Sequence, residues 1–357
     1  MPVKAMILKE FLELRRDKRT MAMIIALPLL LLVIFGYAAN FKVTDVPTYV
    51  YGPQAQAVAS QLEAPFDVKK VDEAGTQDQA TDALRAQDAG AVVLTGQPGQ
   101  PATMLIDGSN LFSAQSAAAA AAASNGAFTP QVLFNPKLET SWVMVPALVG
   151  MIMAFIGTII TAIGLVRERQ AGTLEQLAVM PFKASDVIVG KIAPYFVLAA
   201  VDMVLVTVLG CLVFGVPFTG SAAVLALGAA LFLFTVLGIG VLISTVSQNQ
   251  GQAMQMALLT LMPQILLSGM IFPLAAMAPG VRWIGYLFPL TYFNMISNGV
   301  MLRDAPISSL ALPLGVLAGM AILVFTAAVL RFRRDLSPSA PKAAHKTPAP
   351  ATAGSAR

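Results

Sequence analysis

Residues 222–246 read AAVLALGAALFLFTVLGIGVLISTV, and none of these 25 side chains is charged. A helix rises about 1.5 Å per residue, so a run of this length can cross the roughly 30 Å hydrocarbon core of a bilayer. Apolar residues follow one another without the alternation that a barrel strand would show. The stretch therefore predicts a membrane-spanning α-helix.

Five other stretches have the same character, and they lie at 21–39, 142–166, 192–216, 253–275 and 309–330. Of the 357 residues, 57% are apolar and 12% are charged, whereas about 25% are charged in a soluble domain. A single Cys and a single His leave almost nothing for a disulfide, zinc or haem site. We predict a membrane all-α fold with six transmembrane helices and no metal site.

The distribution of Lys and Arg predicts how these helices are oriented. Sixteen of the 23 basic residues lie in the segments 1–20, 167–191 and 331–357, which fall on one side when six helices are threaded. We expect that side to be the cytoplasm of a bacterium, with both termini on it and the helices in the inner membrane. The run 21–39 is longer than the 7–15 apolar residues of a signal peptide, which favours an uncleaved anchor over a cleaved leader.

The two terminal segments differ in composition. Residues 1–20 place apolar side chains at helical spacing among basic ones, which is typical of an amphipathic helix on the inner membrane surface. A plain positively charged flank is an equally good interpretation. Residues 331–357 are rich in Pro, Ala and Ser and predict a disordered cytoplasmic tail.

Residues 40–141 form the longest polar stretch, with ten acidic and five basic side chains. Four short strand patterns alternate with two helical patterns, which predicts a small extracytoplasmic α/β domain inserted between the first two spans. The alanine run 117–123 predicts a helix that extends towards the second span and is broken by Asn125-Gly126, Pro130 and Pro136. The strand patterns are at 46–51, 66–71, 90–96 and 102–107.

Residues 276–308 read as an outer segment rich in aromatic residues and Pro, which predicts either a re-entrant hairpin or an aromatic belt at the interface. Asp202 is the one acidic residue inside a predicted span, and a carboxylate at that depth costs about 2.5–3.5 kcal/mol on insertion scales. It could contact substrate or a proton, or it could be satisfied by a neighbour such as Thr207. The candidate substrate path consists of Asp202, Tyr292, Asn294 and Asn298.

The loop 167–191 connects the second and third spans. With its flanking residues (165–195) it reads LVRERQAGTLEQLAVMPFKASDVIVGKIAPY. Gly172 permits a turn, and Thr173 with Gln176 has the spacing of a capping box that would start a short helix. A short amphipathic helix on a charged loop can dock into a partner, although an ordinary polar connector has the same composition. The chain lacks the phosphate-binding pattern GxxxxGK[ST], so any ATP must be hydrolysed by a partner.

This loop resembles the signature loop of ABC-2 type transporter permeases, E-R-E-x-G-T-x-E-x-L-x-x-x-P followed by G-K-x-x-P-Y. Residues 9–38, 133–152, 264–277 and 283–304 also resemble that family, in the family's order. The resemblance is closest to the multidrug-permease-like subgroup with a large extracytoplasmic domain. At the outer end it is weaker, because Pro273-Leu274-Ala275 lacks a Glu that relatives often have after this Pro.

The resemblance implies the membrane subunit of an ABC exporter that moves a lipophilic or amphipathic compound outward. It implies an ABC-type ATPase as partner, which would hold the ATP and Mg, and a second permease subunit, identical or different. Neither a cofactor on this chain nor a nucleic-acid partner is expected, and membrane lipids surround it. The residues expected to couple to the ATPase are Arg167, Glu168, Arg169, Gly172, Thr173, Leu174, Glu175, Leu177 and Pro181.

Two other classes of function remain open from the residues alone. An ion-coupled secondary transporter would need several buried charges or internal repeats, and this chain offers Asp202. A membrane-anchored binding protein would act through the 40–141 domain. Drug and lipid exporters share this architecture, so the sequence does not name the substrate.

Overall fold

The computed structural model describes residues 18–38, 43–96, 101–172 and 184–336. The predicted terminal helix 1–20, apart from its last residues, and the predicted tail beyond 336 lie outside them. The helices are α1 (Lys18–Ala38), α2 (Ala55–Ala59), α3 (Gln77–Ala86), α4 (Leu111–Ala123), α5 (Thr140–Phe155), α6 (Thr161–Gln170), α7 (Ala184–Phe214), α8 (Ala222–Val246), α9 (Gln250–Leu267), α10 (Pro279–Gly285), α11 (Pro289–Arg303) and α12 (Ile307–Leu336). The strands are β1 (Val46–Tyr51), β2 (Phe66–Asp72), β3 (Ala91–Leu94), β4 (Ala102–Asp107) and β5 (Phe128–Leu133).

Within these described ranges, 4 helices are long and apolar enough to cross a membrane: Thr140–Gln170, Ile192–Phe214, Ala222–Val246 and Ile307–Arg331. The predicted spans 21–39 and 253–275 fall on α1 and α9. The described apolar part of α1 is Ile25–Phe35. α9 carries four glutamines and ends at Leu267, short of the predicted limit, because Gly269 turns the chain with φ +86°.

Several helices extend beyond the stretches that hydropathy marks. α5 and α6 form one continuous helix from Thr140 to Gln170 through a π-helical turn at Ile156–Ile160. α7 begins at Ala184, inside the predicted loop 167–191, and α12 continues past 330 to Leu336. These differences arise because a charged side chain ends an apolar run but not a helix, since it can reach water from the last turn.

The predicted α/β domain is confirmed as a small mixed sheet, which we call the sheet domain (46–133). The strand order is β2-β1-β3-β4-β5, with β3 and β4 antiparallel and the other neighbours parallel. The core between the sheet and α4 contains Val50, Val93 and Met104, all at 0% exposure. The parallel pairs follow from the alternation of strands and helices along the chain.

The alanine run forms a helix that breaks at Asn125-Gly126, as predicted, but the prediction of its direction was wrong. α4 packs Ala114, Ala117 and Ala121 against the sheet, and it ends at Ala123 instead of extending towards the membrane. Asn125 and Gly126 adopt positive φ and turn the chain into β5, a strand that the sequence did not predict. Pro130 lies in β5 because that strand is at the edge of the sheet, where a missing N–H costs no hydrogen bond.

The helix bundle has two ends. Ser221 and Ile307, at the starts of α8 and α12, line a cleft together with Tyr49 of the sheet domain. We call this the domain end. Val246 and Arg331, near the ends of the same two helices, line a different cleft, and we call that side the loop end.

α8 lies at the centre of the bundle and packs closely against the α5–α6 helix. A methyl group added at Gly240 would lie 2.8 Å from the Thr158 carbonyl oxygen, and one at Gly157 would lie 2.7 Å from a Val236 methyl. The π-helical turn contains both Gly157 and Thr158. Small residues here let two backbones approach, which is the main way that helices associate in lipid.

We therefore expect Gly240→Ala to destabilise the protein by about 1–3 kcal/mol, because the added methyl overlaps a backbone carbonyl that cannot move alone. Gly319→Ala is the matched control, since a methyl group there meets no atom of the described residues within 4 Å. The thermal unfolding midpoint of the purified protein in detergent measures both. Equal midpoints for the two variants would show that this contact does not hold the helices together.

Candidate functional site

The loop end brings the end of α6 against the end of α8. The Arg169 guanidinium donates hydrogen bonds from Nη1 to the carbonyl oxygens of Ser244 (2.8 Å) and Ser247 (3.2 Å). These carbonyls lie in the last turn and the cap of α8, where the helix itself supplies no donor. A cation there also complements the negative end of the helix dipole. Arg169 therefore ties α6 to α8 at the point where the predicted coupling loop begins.

The chain leaves α6 through a left-handed turn. Gly172 has φ +74°, and its N–H donates to the carbonyl of Arg169 at 3.1 Å. Arg167 is exposed and Glu168 is half-buried in the last turn of α6. The other predicted coupling residues, Thr173, Leu174, Glu175, Leu177 and Pro181, lie outside the described residues.

At the domain end, α11 presents a polar face. Pro289 begins this helix, where its missing N–H costs nothing. Thr291, Asn294, Met295 and Asn298 follow at three- and four-residue spacing, which places them on one side of the helix.

This face of α11 lines a cavity of about 550 Å³ between the sheet domain and the helices, which we call the domain cavity. A volume of this size is typical of small-molecule sites. Exposed residues of the sheet domain, including Lys69, lie at its mouth. The helix side contributes residues from α5, the end of α9, the segment after it, α10 and α11: Thr140, Val143, Met144, Ser268, Gly269, Met270, Pro273, Leu274, Ala275, Arg282, Tyr286, Thr291, Asn294, Met295, Asn298 and Arg303.

Four polar atoms of residues that line the domain cavity are buried and have no hydrogen-bond partner among the described residues. They are the Oδ1 atoms of Asn294 and Asn298 and the Nε atoms of Arg282 and Arg303. The amide nitrogen of Asn294 donates to the Ser268 hydroxyl at 3.4 Å, so the carbonyl oxygen of the same amide is left over. A buried polar atom without a partner costs about 1–3 kcal/mol. The side chains that line the cavity thus have unused hydrogen-bonding capacity of both kinds, donor and acceptor.

A buried ion pair joins the sheet domain to α11 beside this cavity. Arg303 Nη1 lies 3.5 Å from Asp107 Oδ2, and the two side chains are 3% and 2% exposed. Asp107 Oδ1 accepts from the Ser109 N–H and hydroxyl at 2.9 and 2.6 Å, and Arg303 also donates to that hydroxyl at 3.3 Å. Burial lowers the pKa of Arg303, while the Asp107 carboxylate opposes that change.

The four residues of the predicted substrate path do not all meet. Asn294 and Asn298 both line the domain cavity, and their role in substrate binding stays a prediction. Tyr292 lies on another face of α11, where its hydroxyl donates to the carbonyl of Tyr286 at 2.7 Å. Asp202 lies on α7 and does not line the cavity, and its Oδ2 is buried without a partner in the part of the chain that the structure describes. The Thr207 hydroxyl is also unpartnered, so the predicted bond between Asp202 and Thr207 is not formed.

Sequence reasoning did not single out Asp107, Arg282 or Arg303. Asp107 ends a strand and Arg303 ends a helix far along the chain, so no local pattern connects them. One signal was available on α11. Thr291, Asn294 and Asn298 are three and four residues apart, a spacing that predicts one common helix face, whereas their polarity alone does not.

Comparison with known proteins identifies the family of this chain. The sequence model of the family described as "ABC-2 family transporter protein" matches residues 18–330. The chain belongs to this family.

Two relatives of this ABC-2 permease come from Escherichia coli (strain K12). The protein named "Probable multidrug ABC transporter permease YbhR" is 27% identical over 363 residues, which cover 93% of this chain and 98% of that protein. The protein named "Probable multidrug ABC transporter permease YbhS" is 28% identical over 323 residues, which cover 82% and 86%. The Dictyostelium discoideum "ABC transporter G family member 20" is 25% identical over 175 residues, 49% of this chain and 24% of that protein.

In this permease, we expect Asp107→Asn to weaken the contact between the sheet domain and α11 by about 3–5 kcal/mol, because it leaves a buried guanidinium without its counter-charge. Asp67→Asn is the matched control, since its pair with Lys69 is solvent-exposed and worth less than about 1 kcal/mol. The denaturant concentration at which protease cleaves the sheet domain measures the loss.

Adding Arg303→Met to Asp107→Asn should restore much of the stability, because the unpaired charge is then removed. If Asp107→Asn behaves like Asp67→Asn, the buried pair does not hold the sheet domain in place.

Proposed function

We propose that this chain is the permease subunit of an ABC exporter that moves a lipophilic or amphipathic compound out across the bacterial inner membrane. ATP, with its Mg, is hydrolysed on a separate ATPase subunit, and this chain contributes no catalytic group. A second permease subunit completes the pathway. Membership of the ABC-2 family and the names of the two Escherichia coli relatives support this proposal.

In the same proposal, α1 and α9 complete a set of six spans with the four longer apolar helices. α1 has 21 residues and α9 has 18, which gives lengths of about 32 and 27 Å at 1.5 Å per residue. The four glutamines of α9 are tolerable in lipid where neighbouring helices cover them, and Gln252 and Gln264 are buried. With six spans, the sheet domain faces outside and both termini face the cytoplasm.

The observation that carries the coupling proposal is the junction at the loop end. Arg169 bonds α6 to α8 immediately before the segment that resembles the family's coupling loop. A displacement of that segment by the ATPase would therefore move α6 and α8 together. Glu168 and Glu175 are the residues that we expect to contact the ATPase.

Co-purification tests this proposal directly. We expect an ATPase to accompany the native chain through a tag on this chain, and to be lost from Glu168→Ala plus Glu175→Ala. Each charge-assisted hydrogen bond contributes about 1.5–3 kcal/mol, so loss of both should weaken the complex by at least about 100-fold.

The matched control removes the same charge from exposed positions of the sheet domain, with Glu63→Ala plus Glu73→Ala. It should retain the ATPase and its ATP hydrolysis. If no ATPase accompanies even the native chain under gentle extraction, a secondary transporter or a membrane-anchored binding protein becomes the better proposal.

One observation favours the secondary transporter as the second candidate. Asp202 lies about 15 Å along the helix from Ile192, and its Oδ2 is buried without a partner. Intramembrane carboxylates of this kind carry protons in many transporters.

Export measured with a protonophore separates the two candidates. For an ATP-driven exporter, we expect the protonophore and Asp202→Asn each to change transport by less than about twofold, because neither touches the coupling junction. Transport that stops with the protonophore and in Asp202→Asn, while ATP remains, would favour proton coupling instead.

A further inference from the structure

The domain cavity is lined by more polar groups than a path for a purely apolar compound would need. The inference drawn below rests on the proposed export function. We propose that the domain cavity binds an amphipathic molecule with an uncharged or zwitterionic polar head. The head would lie between the amides of Asn294 and Asn298 and the guanidinium groups of Arg282 and Arg303. The apolar body would lie against the methionines of the helix side.

The unpartnered atoms define what the head must carry. Two of them, the Oδ1 atoms of Asn294 and Asn298, accept hydrogen bonds, and two, the Nε atoms of Arg282 and Arg303, donate them. Asn294 and Arg303 are 6% and 3% exposed, so these groups are almost completely removed from bulk water. A hydroxyl, an amide or an ammonium next to a phosphate offers both a donor and an acceptor. A carboxylate alone would leave both amide oxygens unsatisfied.

The charges around the domain cavity balance. Its acidic residues are Asp45, Asp67 and Asp107, and its basic residues are Lys69, Arg282 and Arg303. Asp67 pairs with Lys69 and Asp107 pairs with Arg303.

The remaining two charges do not select a charged ligand. Arg282 donates from Nη2 to the carbonyl oxygens of Ala275 (2.7 Å) and Met277 (3.4 Å), while Asp45 is exposed to solvent. Arg282 keeps its positive charge, because carbonyl oxygens do not neutralise it, and Asp45 carries the opposite charge, so the lining as a whole has no net charge. A ligand with a net charge would therefore lose its hydration without a net opposite charge to replace it, whereas a zwitterionic head can match charges of both signs.

The apolar part of the cavity can adapt to shape. Met144, Met270 and Met295 line it, on α5, after α9 and on α11 respectively. Unbranched thioether side chains repack at low cost, so they accept apolar bodies of different outline. The polar groups are thus fixed and the apolar groups are adaptable, which selects the head of the ligand more strictly than its body.

A thiol reporter inside the cavity tests the proposal on the full-length chain in detergent, without ATP or an ATPase. Cys211 is the only cysteine, so Cys211→Ala gives a thiol-free background for Met295→Cys. The probes are dansyl amides with the same alkyl chain that end in a hydroxyl, a zwitterionic amino-acid group, an ammonium or a carboxylate. Maleimide labelling of Met295→Cys is measured with each probe. Ser308→Cys, at an exposed position outside the cavity, is the control reporter.

We expect the hydroxyl and zwitterionic probes to slow labelling of Met295→Cys and to leave Ser308→Cys unchanged. Asn294→Leu plus Asn298→Leu should raise the probe concentration for half protection about tenfold, because two hydrogen bonds are lost. Thr207→Ala, which removes a buried unpartnered hydroxyl elsewhere, should leave it unchanged. If the double variant is unstable, Met144→Trp narrows the cavity from α5 and should give the same loss of protection.

Protection by none of the probes would mean that water alone fills the cavity and would overturn the proposal. Equal protection by all four probes would overturn it as well. So would equal protection by the hydroxyl probe in the chain with both asparagines and in the Asn294→Leu plus Asn298→Leu variant. Phosphatidylethanolamine added to the detergent distinguishes a membrane lipid from a smaller ligand. Protection of Met295→Cys by the phospholipid identifies a membrane lipid as the ligand. Protection by the hydroxyl probe but not by the phospholipid identifies a smaller compound. Both results support the proposed chemistry.

The outcome is separate from that of the export proposal. Protection that depends on Asn294 and Asn298, in a chain that co-purifies with no ATPase, would retain the binding site and reject the exporter. Unchanged ATP-driven export by the double Asn variant would retain the exporter and reject this cavity as its substrate site.

Discussion

The architecture depends on one constraint: hydrocarbon offers no hydrogen bonds, so every backbone polar group in the membrane must find a partner within the protein. Helices satisfy their own interiors, but their last carbonyls need donors from elsewhere. At the end of α11, the N–H groups of Thr219 and Gly220 donate to the carbonyls of Met301 (3.1 Å) and Val300 (2.9 Å). At the end of α8, Arg169 has the same role. The loop between α7 and α8 and the last turn of α6 are therefore each fixed by the end of a helix that is not their neighbour in the chain.

Nine buried side-chain atoms of the described residues have no hydrogen-bond partner, and four of them belong to residues that line the domain cavity. A stable fold could have placed apolar side chains there, because replacing buried polar groups by well-packed apolar ones is often neutral or stabilising. Asn294 and Asn298 instead leave carbonyl oxygens without partners in residues that line the same cavity as Arg282 of α10 and Arg303 of α11. These unpartnered atoms reduce stability, but they lie near the Asp107–Arg303 ion pair that joins the sheet domain to α11. That ion pair fixes the walls of the cavity although some polar groups in them have no partner.

How far the sequence leads depends on how local each signal is. Hydropathy marks the residues of α8 because the run is apolar from end to end, and alternation marks β1 to β4. The same reasoning misses β5, since Pro130 breaks a central strand but not an edge strand, and the sheet order is not written in the local pattern. It overestimates the length of α9, because the turn at Gly269 lies within an apolar stretch. For the site, spacing groups Asn294 with Asn298, whereas the pairing of Asp107 with Arg303 is a property of the tertiary fold alone.

α8 contacts α6 near the loop end of the bundle and α11 near the domain end. Near the loop end it carries the Arg169 contact and the close approach of Gly240 to Thr158. Near the domain end, a methyl group added at Gly228 would lie 2.9 Å from a side-chain carbon of Ile296, which is located on α11 between Asn294 and Asn298. Close-packed contacts transmit displacement because they leave no space to absorb it. A shift of α8 driven from the loop end would therefore change the width of the domain cavity, and this would link the proposed ATPase contact to the proposed ligand site through one helix.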